Sequence, residues 1–205
     1  MTTDPALPAD AIVGDRFHMR QKITPFQNVY RVFADANGEP GALVAYAKQK
    51  RLTLRESFTL FSDERATQPI LAIQADRAID ISSAMMVSDP ATGTLIGTLH
   101  KRGGRSLFRS TWEIDQPGTP IVTVQERNLV IAILRRVWGF IPQANNVPVP
   151  WVFHFDGTSS TGDPVLSHTR RWGIRDRYVL EIASPLLDRR LAIAMAVCLD
   201  AMQHR

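Results

Sequence analysis

Lys48, Lys50, Arg51 and Arg55 form one dense basic run in the chain, and Lys101, Arg102 and Arg105 form another around the Gly103–Gly104 pair. Cations at this density offer charge-assisted hydrogen bonds to phosphate or carboxylate oxygens. That is the chemistry that holds an anionic phospholipid headgroup or an acidic protein surface. These residues are the expected lipid-binding set. A second basic surface, Arg170, Arg171, Arg175 and Arg177, flanks Trp172 and Tyr178, and its aromatic faces suit headgroup or base contact. Each group has a plainer reading beside this one. Glu56, Asp63 and Glu64 break up the field around the first run, which would then be a solvated face, and a hairpin with outward charges accounts for the second.

Other chemistries lack their residue patterns. His18, His100, His154, His168 and His204 are scattered without ligand spacing, and the single cysteine, Cys198, cannot supply a thiolate cluster, so no metal site is expected. Gly103–Gly104 is a turn and not a phosphate loop, because no Gly-x-x-x-x-Gly-Lys-Ser/Thr pattern accompanies it. The polar stretch Gly157–Asp163 shows no nucleophile elbow and reads as a long hairpin loop. No catalytic residue, enzyme activity or cofactor is therefore expected. The net charge of +4 is a small surplus, which favours an anionic lipid surface over nucleic acid as the partner.

Most of these residues fall in a run of short strands. From Arg16 to about Gln125, β-branched and aromatic segments alternate with Gly, Pro, Asn and Asp clusters, as in an antiparallel meander. The segments are Arg16–Ile23, Asn28–Ala34, Ala42–Lys48, Ser57–Phe61, Ile70–Gln74, Ile81–Val87, Thr94–His100, Ser106–Glu113 and Pro120–Gln125. Leu129, Val130, Ile133, Leu134, Val137 and Trp138 then recur at helical spacing, which predicts an amphipathic helix on the outside of the fold. Its apolar stripe suits packing on the strands or shallow insertion into a membrane surface. Three further strands follow at Trp151–Phe155, Pro164–Arg170 and Ile174–Ile182, making about twelve. Residues 1–15 are expected to be a flexible leader and residues 16–205 one domain.

The last element decides the architecture. Ser184, which can cap the orphan amides, and Pro185 form a helix start signal; Asp188 favours the positive end of the helix dipole and, with Arg189 and Arg190, is expected to cap and orient the helix. Every residue from Leu191 to Leu199 is apolar. A helix apolar on all sides is enclosed by protein or by lipid. This run extends only about 14 Å, roughly half the hydrocarbon thickness of a bilayer, so enclosure by protein is expected. The frequent alanines suit a rod surrounded by inward-pointing side chains. Cys198 lies in this run and is expected to be a buried thiol.

The order Lys48-Gln49-Lys50-Arg51, Phe58 to Glu64, Ile79-Asp80-Ile81 and Leu187-Asp188-Arg189-Arg190-Leu191-Ala192 onward to Asp200 resembles the LURP-one-related branch of the tubby C-terminal-like superfamily, which also holds tubby proteins and phospholipid scramblases. The resemblance implies a mainly β fold, a closed antiparallel barrel of about twelve strands around a buried apolar C-terminal helix. It also implies a non-enzymatic binding or scaffold role, with phosphoinositide-type lipid as one ligand class and scramblase-like lipid movement as an alternative. The scramblase features of a cysteine-rich leader and calcium-ligating carboxylates before the terminal helix are not matched here. No run approaches the roughly 20 apolar residues of a transmembrane helix, so a cytoplasmic protein with peripheral membrane contact is expected.

Overall fold

Strand β1 (Arg16–Ile23) shows the pattern on which the fold is built. Phe17, Met19 and Gln21 are buried on one side, while Arg20 and Lys22 are exposed on the other. A two-residue period of this kind gives a strand one dry and one wet face. The computed structural model describes residues 12–24, 27–50, 57–75, 84–102, 110–127, 154–171 and 177–203. Eleven further strands follow: β2 (Gln27–Ala36), β3 (Glu39–Lys50), β4 (Ser57–Phe61), β5 (Pro69–Ala75), β6 (Ala84–Ser88), β7 (Leu95–Lys101), β8 (Thr111–Asp115), β9 (Val122–Glu126), β10 (His154–Ser159), β11 (Pro164–Arg171) and β12 (Arg177–Ile182). Helix α1 (Arg189–Gln203) closes the order.

Each strand pairs antiparallel with its sequence neighbours, and β1 pairs with β12 through Arg16↔Glu181 to Arg20↔Arg177, closing a twelve-stranded barrel. The expected strand number and closure are both found. Several boundaries move by a few residues. The largest change is at Gly157–Ser159, read from sequence as loop but extended in β10, where Gly157 pairs with Val124 and Leu166. The backbone ladder outweighs local polarity there. The turn at Asn37 and Gly38, both at positive φ, is the expected hairpin signal, and the Asp35 carboxylate accepts the Gly38 amide at 2.9 Å. The amphipathic helix expected at Leu129–Phe140 lies outside the described residues.

Because strand direction alternates, β1, β3, β5, β7, β9 and β11 all end at one rim of the barrel, here called distal. Their partners end at the other, proximal rim. Helix α1 starts at the proximal rim and runs through the interior. From Leu191 to Leu199 each side chain is 0–2% exposed. Leu191, Ile193, Met195, Val197 and Leu199 each contribute about 1.5–3 kcal/mol by full burial. Burial pushes the Cys198 thiol up to about 12, and its sulfur lies 3.5 Å from that of Met85.

Of the two expected capping residues, Asp188 rather than Ser184 caps α1, accepting the Arg190 amide at 2.8 Å. The residues between Ser184 and Asp188 are used as a turn across the barrel mouth. Gln116 pins that turn by donating to the Leu186 carbonyl at 2.8 Å and accepting the Asp188 amide at 2.8 Å. Arg190 is clamped between Asp89 and Asp188, both at 2.9 Å, and Arg189 pairs with Asp15. Gly97 lets the rod approach the wall, since a Cβ there would lie 2.6 Å from Leu191 Cδ2 and 2.7 Å from the Asp115 carbonyl oxygen. At the distal end the Tyr178 hydroxyl donates to Asp200. Burial, and then the Asp200 charge, hold the Tyr30 phenol protonated well above its ordinary range. His168 stacks on Tyr178 at 5.0 Å, and burial pushes its imidazole down to about 3.

Two outcomes follow. Gly97→Ala should lower stability by about 1–3 kcal/mol, read as a lower urea midpoint with an unchanged m-value. Because His168 is neutral in the native state down to about pH 3 and has an ordinary value of 6.5 unfolded, protons bind the unfolded chain preferentially between those values. Stability should therefore fall as pH drops below 6.5, by up to about 1.4 kcal/mol per pH unit from this group. His168→Phe, which keeps a ring against Tyr178, should remove that part of the acid slope in urea titrations across pH.

Candidate functional site

Closure of the barrel joins two arginine pairs that lie near opposite ends of the sequence. On the register, Arg171 of β11 lies opposite Arg177 of β12, Arg177 opposite Arg20 of β1, and Arg20 opposite Arg31 of β2. All four sit on the outward parity of their strands. Neighbouring strands are about 4.8 Å apart, so this is a continuous row of guanidinium-bearing residues along the outer wall. Lys22, two residues beyond Arg20, is also exposed; across from it come Val29 and then Lys48.

The two ends of the row differ electrostatically. Arg31 donates to both oxygens of Glu64, at 2.8 and 3.0 Å. That hydrogen bond raises the Arg31 pKa and is the first cause of the lowered Glu64 pKa. Arg31 and Lys48 also lie 5.6 and 5.5 Å from the Tyr46 ring centroid. Arg20, Arg171 and Arg177 are exposed and, among the described residues, make no ion pair. Arg20 rests 5.2 Å from the Phe33 ring centroid, which orients it without neutralising it. Like charges directly opposite one another in a sheet repel. An arginine fork matches phosphate or carboxylate bidentately, so an oxyanion laid on this row would offset the repulsion and satisfy several donors at once.

The sequence-derived residues distribute unevenly over this surface. Lys48 is exposed at the edge of the arginine row, and Lys50 is the last residue of β3. Arg171 and Arg177 are in the row itself. Lys101 occupies the inward register opposite the buried Trp112, with its ammonium 5.8 Å from the indole centroid. Arg170 likewise sits opposite the buried Tyr178. Arg102 is paired with Glu113 at 2.7 Å. Strands β6, β5 and β4 lie between β7, which bears Lys101, and β3, which bears Lys48, so these two parts of the expected set share a rim but not a wall. Arg51, Arg55, Arg105 and Arg175 lie outside the described residues.

Sequence reasoning missed Arg20, Lys22 and Arg31. Their outward parity was visible in the alternation of β1 and β2, but their partnership with Arg177 needed the β1–β12 closure. The next outward row, Thr169, Val179, His18 and Phe33, holds His18 hydrogen-bonded to Asp35 at 2.7 Å. The Gly38 amide, then His18, hold the Asp35 carboxyl below its usual range. Among the described residues, no group of three or more His, Cys, Asp or Glu side chains could hold a metal ion. The arrangement is thus one that can grip oxyanions.

Compared with known protein families, residues 43–200 match the family model described as LURP-one-related. No curated protein and no solved structure matches the chain.

Since Arg177 has an arginine on each side, Arg177→Gln should stabilise the ligand-free barrel by about 0.2–1 kcal/mol at low ionic strength. The gain should vanish near 1 M salt, where the screening length shrinks to about 3 Å. Urea midpoints at both salt concentrations check this.

Proposed function

The chain belongs to the LURP-one-related family, and on that footing we propose that it is a non-enzymatic binding or scaffold protein that contacts anionic phospholipid headgroups, phosphoinositide-type among them. The observation that carries this reading is the outer row Arg171–Arg177–Arg20, exposed and without ion-pair partners among the described residues. Phosphate oxygens are the ligands such a row suits best. Lys22 and Lys48 extend the field toward the distal rim, where further cations lower the cost of approaching a negatively charged surface.

A peripheral contact fits the distribution of polarity. The described strands turn most of their apolar side chains inward and most of their charged ones outward, the inverse of a barrel embedded in lipid. No described helix is long and apolar enough to cross a membrane. The interior around Leu191–Leu199 is filled by apolar side chains, so lipid movement through the barrel finds little support. An acidic protein surface is the second occupant that the same charges suit.

Co-sedimentation with vesicles tests the reading. Vesicles carrying phosphatidylserine or phosphoinositide should capture the protein, and phosphatidylcholine vesicles should not. Each arginine near the surface contributes about 1 kcal/mol, so the triple substitution Arg20→Gln, Arg171→Gln and Arg177→Gln should weaken capture by on the order of a hundredfold. Equal capture by neutral and anionic vesicles, or capture indifferent to the triple substitution, would overturn the proposal.

A further inference from the structure

The rim opposite the arginine row has a different character. Among the described residues five large hydrophobic side chains are exposed, and four of them, Val13 at 77%, Leu95 at 45%, Ile121 at 45% and Leu186 at 66%, belong to the proximal rim. Val13 precedes the start of β1, Leu95 begins β7, Ile121 precedes β9, and Leu186 lies between β12 and α1. Leu186 lines a groove of about 280 Å³ together with Pro120, Val122, Pro164, Pro185 and Leu187 and with polar residues that include Asp163, and the exposed Ile121 stands in the chain between two of the lining residues. Single exposed leucines are unremarkable, but apolar side chains gathered at a groove mark a contact surface.

The groove is built on fixed backbone. The Leu186 carbonyl accepts from Gln116 at 2.8 Å, the Ile121 carbonyl accepts from the Ser160 amide at 3.0 Å, and the Ala183 and Ser184 amides donate to the Val165 carbonyl at 2.8 and 3.2 Å. These side chains are displayed from a tied frame. The charges around it are acidic in balance. Arg16, Arg189 and Arg190 are each engaged by carboxylates, Asp35 and Glu181, Asp15, and Asp89 with Asp188, respectively. Asp115, at the end of β8, and Asp163 are exposed and make no ion pair among the described residues.

We propose that the proximal rim is a docking surface for a partner protein that presents an apolar segment flanked by lysine or arginine. Charge complementarity selects this occupant. Apolar side chains enter the groove against Leu186 and cover the neighbouring exposed Ile121, and the flanking cations meet Asp115 and Asp163. A second copy docked rim to rim would set these carboxylates against each other. The described strands around the groove, β9 to β12, are each paired on both sides, so the partner binds through side chains rather than by adding a strand. The inference goes beyond lipid contact and gives the scaffold role a second surface, at the opposite end from the arginine row.

Three labelled synthetic peptides serve as probes against the full chain in fluorescence anisotropy: one alternating leucine and lysine, one serine and lysine, one leucine and glutamate. The leucine–lysine peptide should bind saturably, and Leu186→Ser, Ile121→Ser and Asp163→Asn should each weaken it about tenfold. The arginine-row triple substitution should leave its affinity unchanged. Affinity indifferent to Leu186→Ser and Ile121→Ser, or equal binding of the serine–lysine or leucine–glutamate peptide at this site, would overturn the proposal. So would sedimentation showing a dimer that these substitutions dissociate. Vesicle capture reads the other rim, so each proposal fails separately.

Discussion

A helix apolar around its whole circumference has no stable place in water, and α1 is too short to find one across a bilayer. Enclosure by the strands is the constraint from which the architecture follows. Twelve strands can surround the rod only if the first and last meet, so β1 pairs with β12, and the wall must let the rod come close. Gly97 provides that approach at the proximal end, and the small alanines of α1 keep the rod slender enough for the interior. The clamps of Arg189 and Arg190 onto Asp15, Asp89 and Asp188 hold the rod's first turn in the mouth, and Tyr178 with Asp200 holds its last.

The same closure creates the arginine row. Arg20 and Arg177 are neighbours only because the two terminal strands are joined, and the row continues through Arg171 and Arg31 because the register on both sides keeps the same parity. On one side of this wall the apolar residues Phe17, Met19 and Leu180 belong to the same buried core as the rod. On the other, three exposed cations stand at strand spacing. Folding and the proposed site are coupled here, since burial of the inner face places like charges side by side on the outer one, and the native structure tolerates their repulsion.

Antiparallel alternation also gives the barrel two unlike ends. The mouth where α1 enters carries engaged arginines, exposed carboxylates and a groove lined largely by apolar surface, while the opposite rim holds the ends of the strands that bear Lys48, Lys50 and Arg171. The two proposed contacts would therefore fall on different parts of the barrel, and neither would obstruct the other.

Much of the fold was legible in the sequence because it rests on local periodicity. Two-residue alternation marked the strands, the Asn37–Gly38 turn marked a hairpin, and the unbroken apolar run from Leu191 to Leu199 required an enclosed rod. The site was legible only in part. Arg171 and Arg177 were identifiable as cations beside aromatic residues, yet nothing local distinguished them from Arg170, which faces inward by a single step of parity, or separated Lys101 from Lys48. Which cations share a wall depends on register and on barrel closure, and these join residues more than a hundred positions apart through backbone hydrogen bonds whose partners composition and spacing do not specify. The sequence by itself determined a strand-rich wall around a greasy core helix. The tertiary structure alone decided which charges that wall would set side by side, because lateral neighbours in a closed sheet are chosen by pairing and not by proximity along the chain.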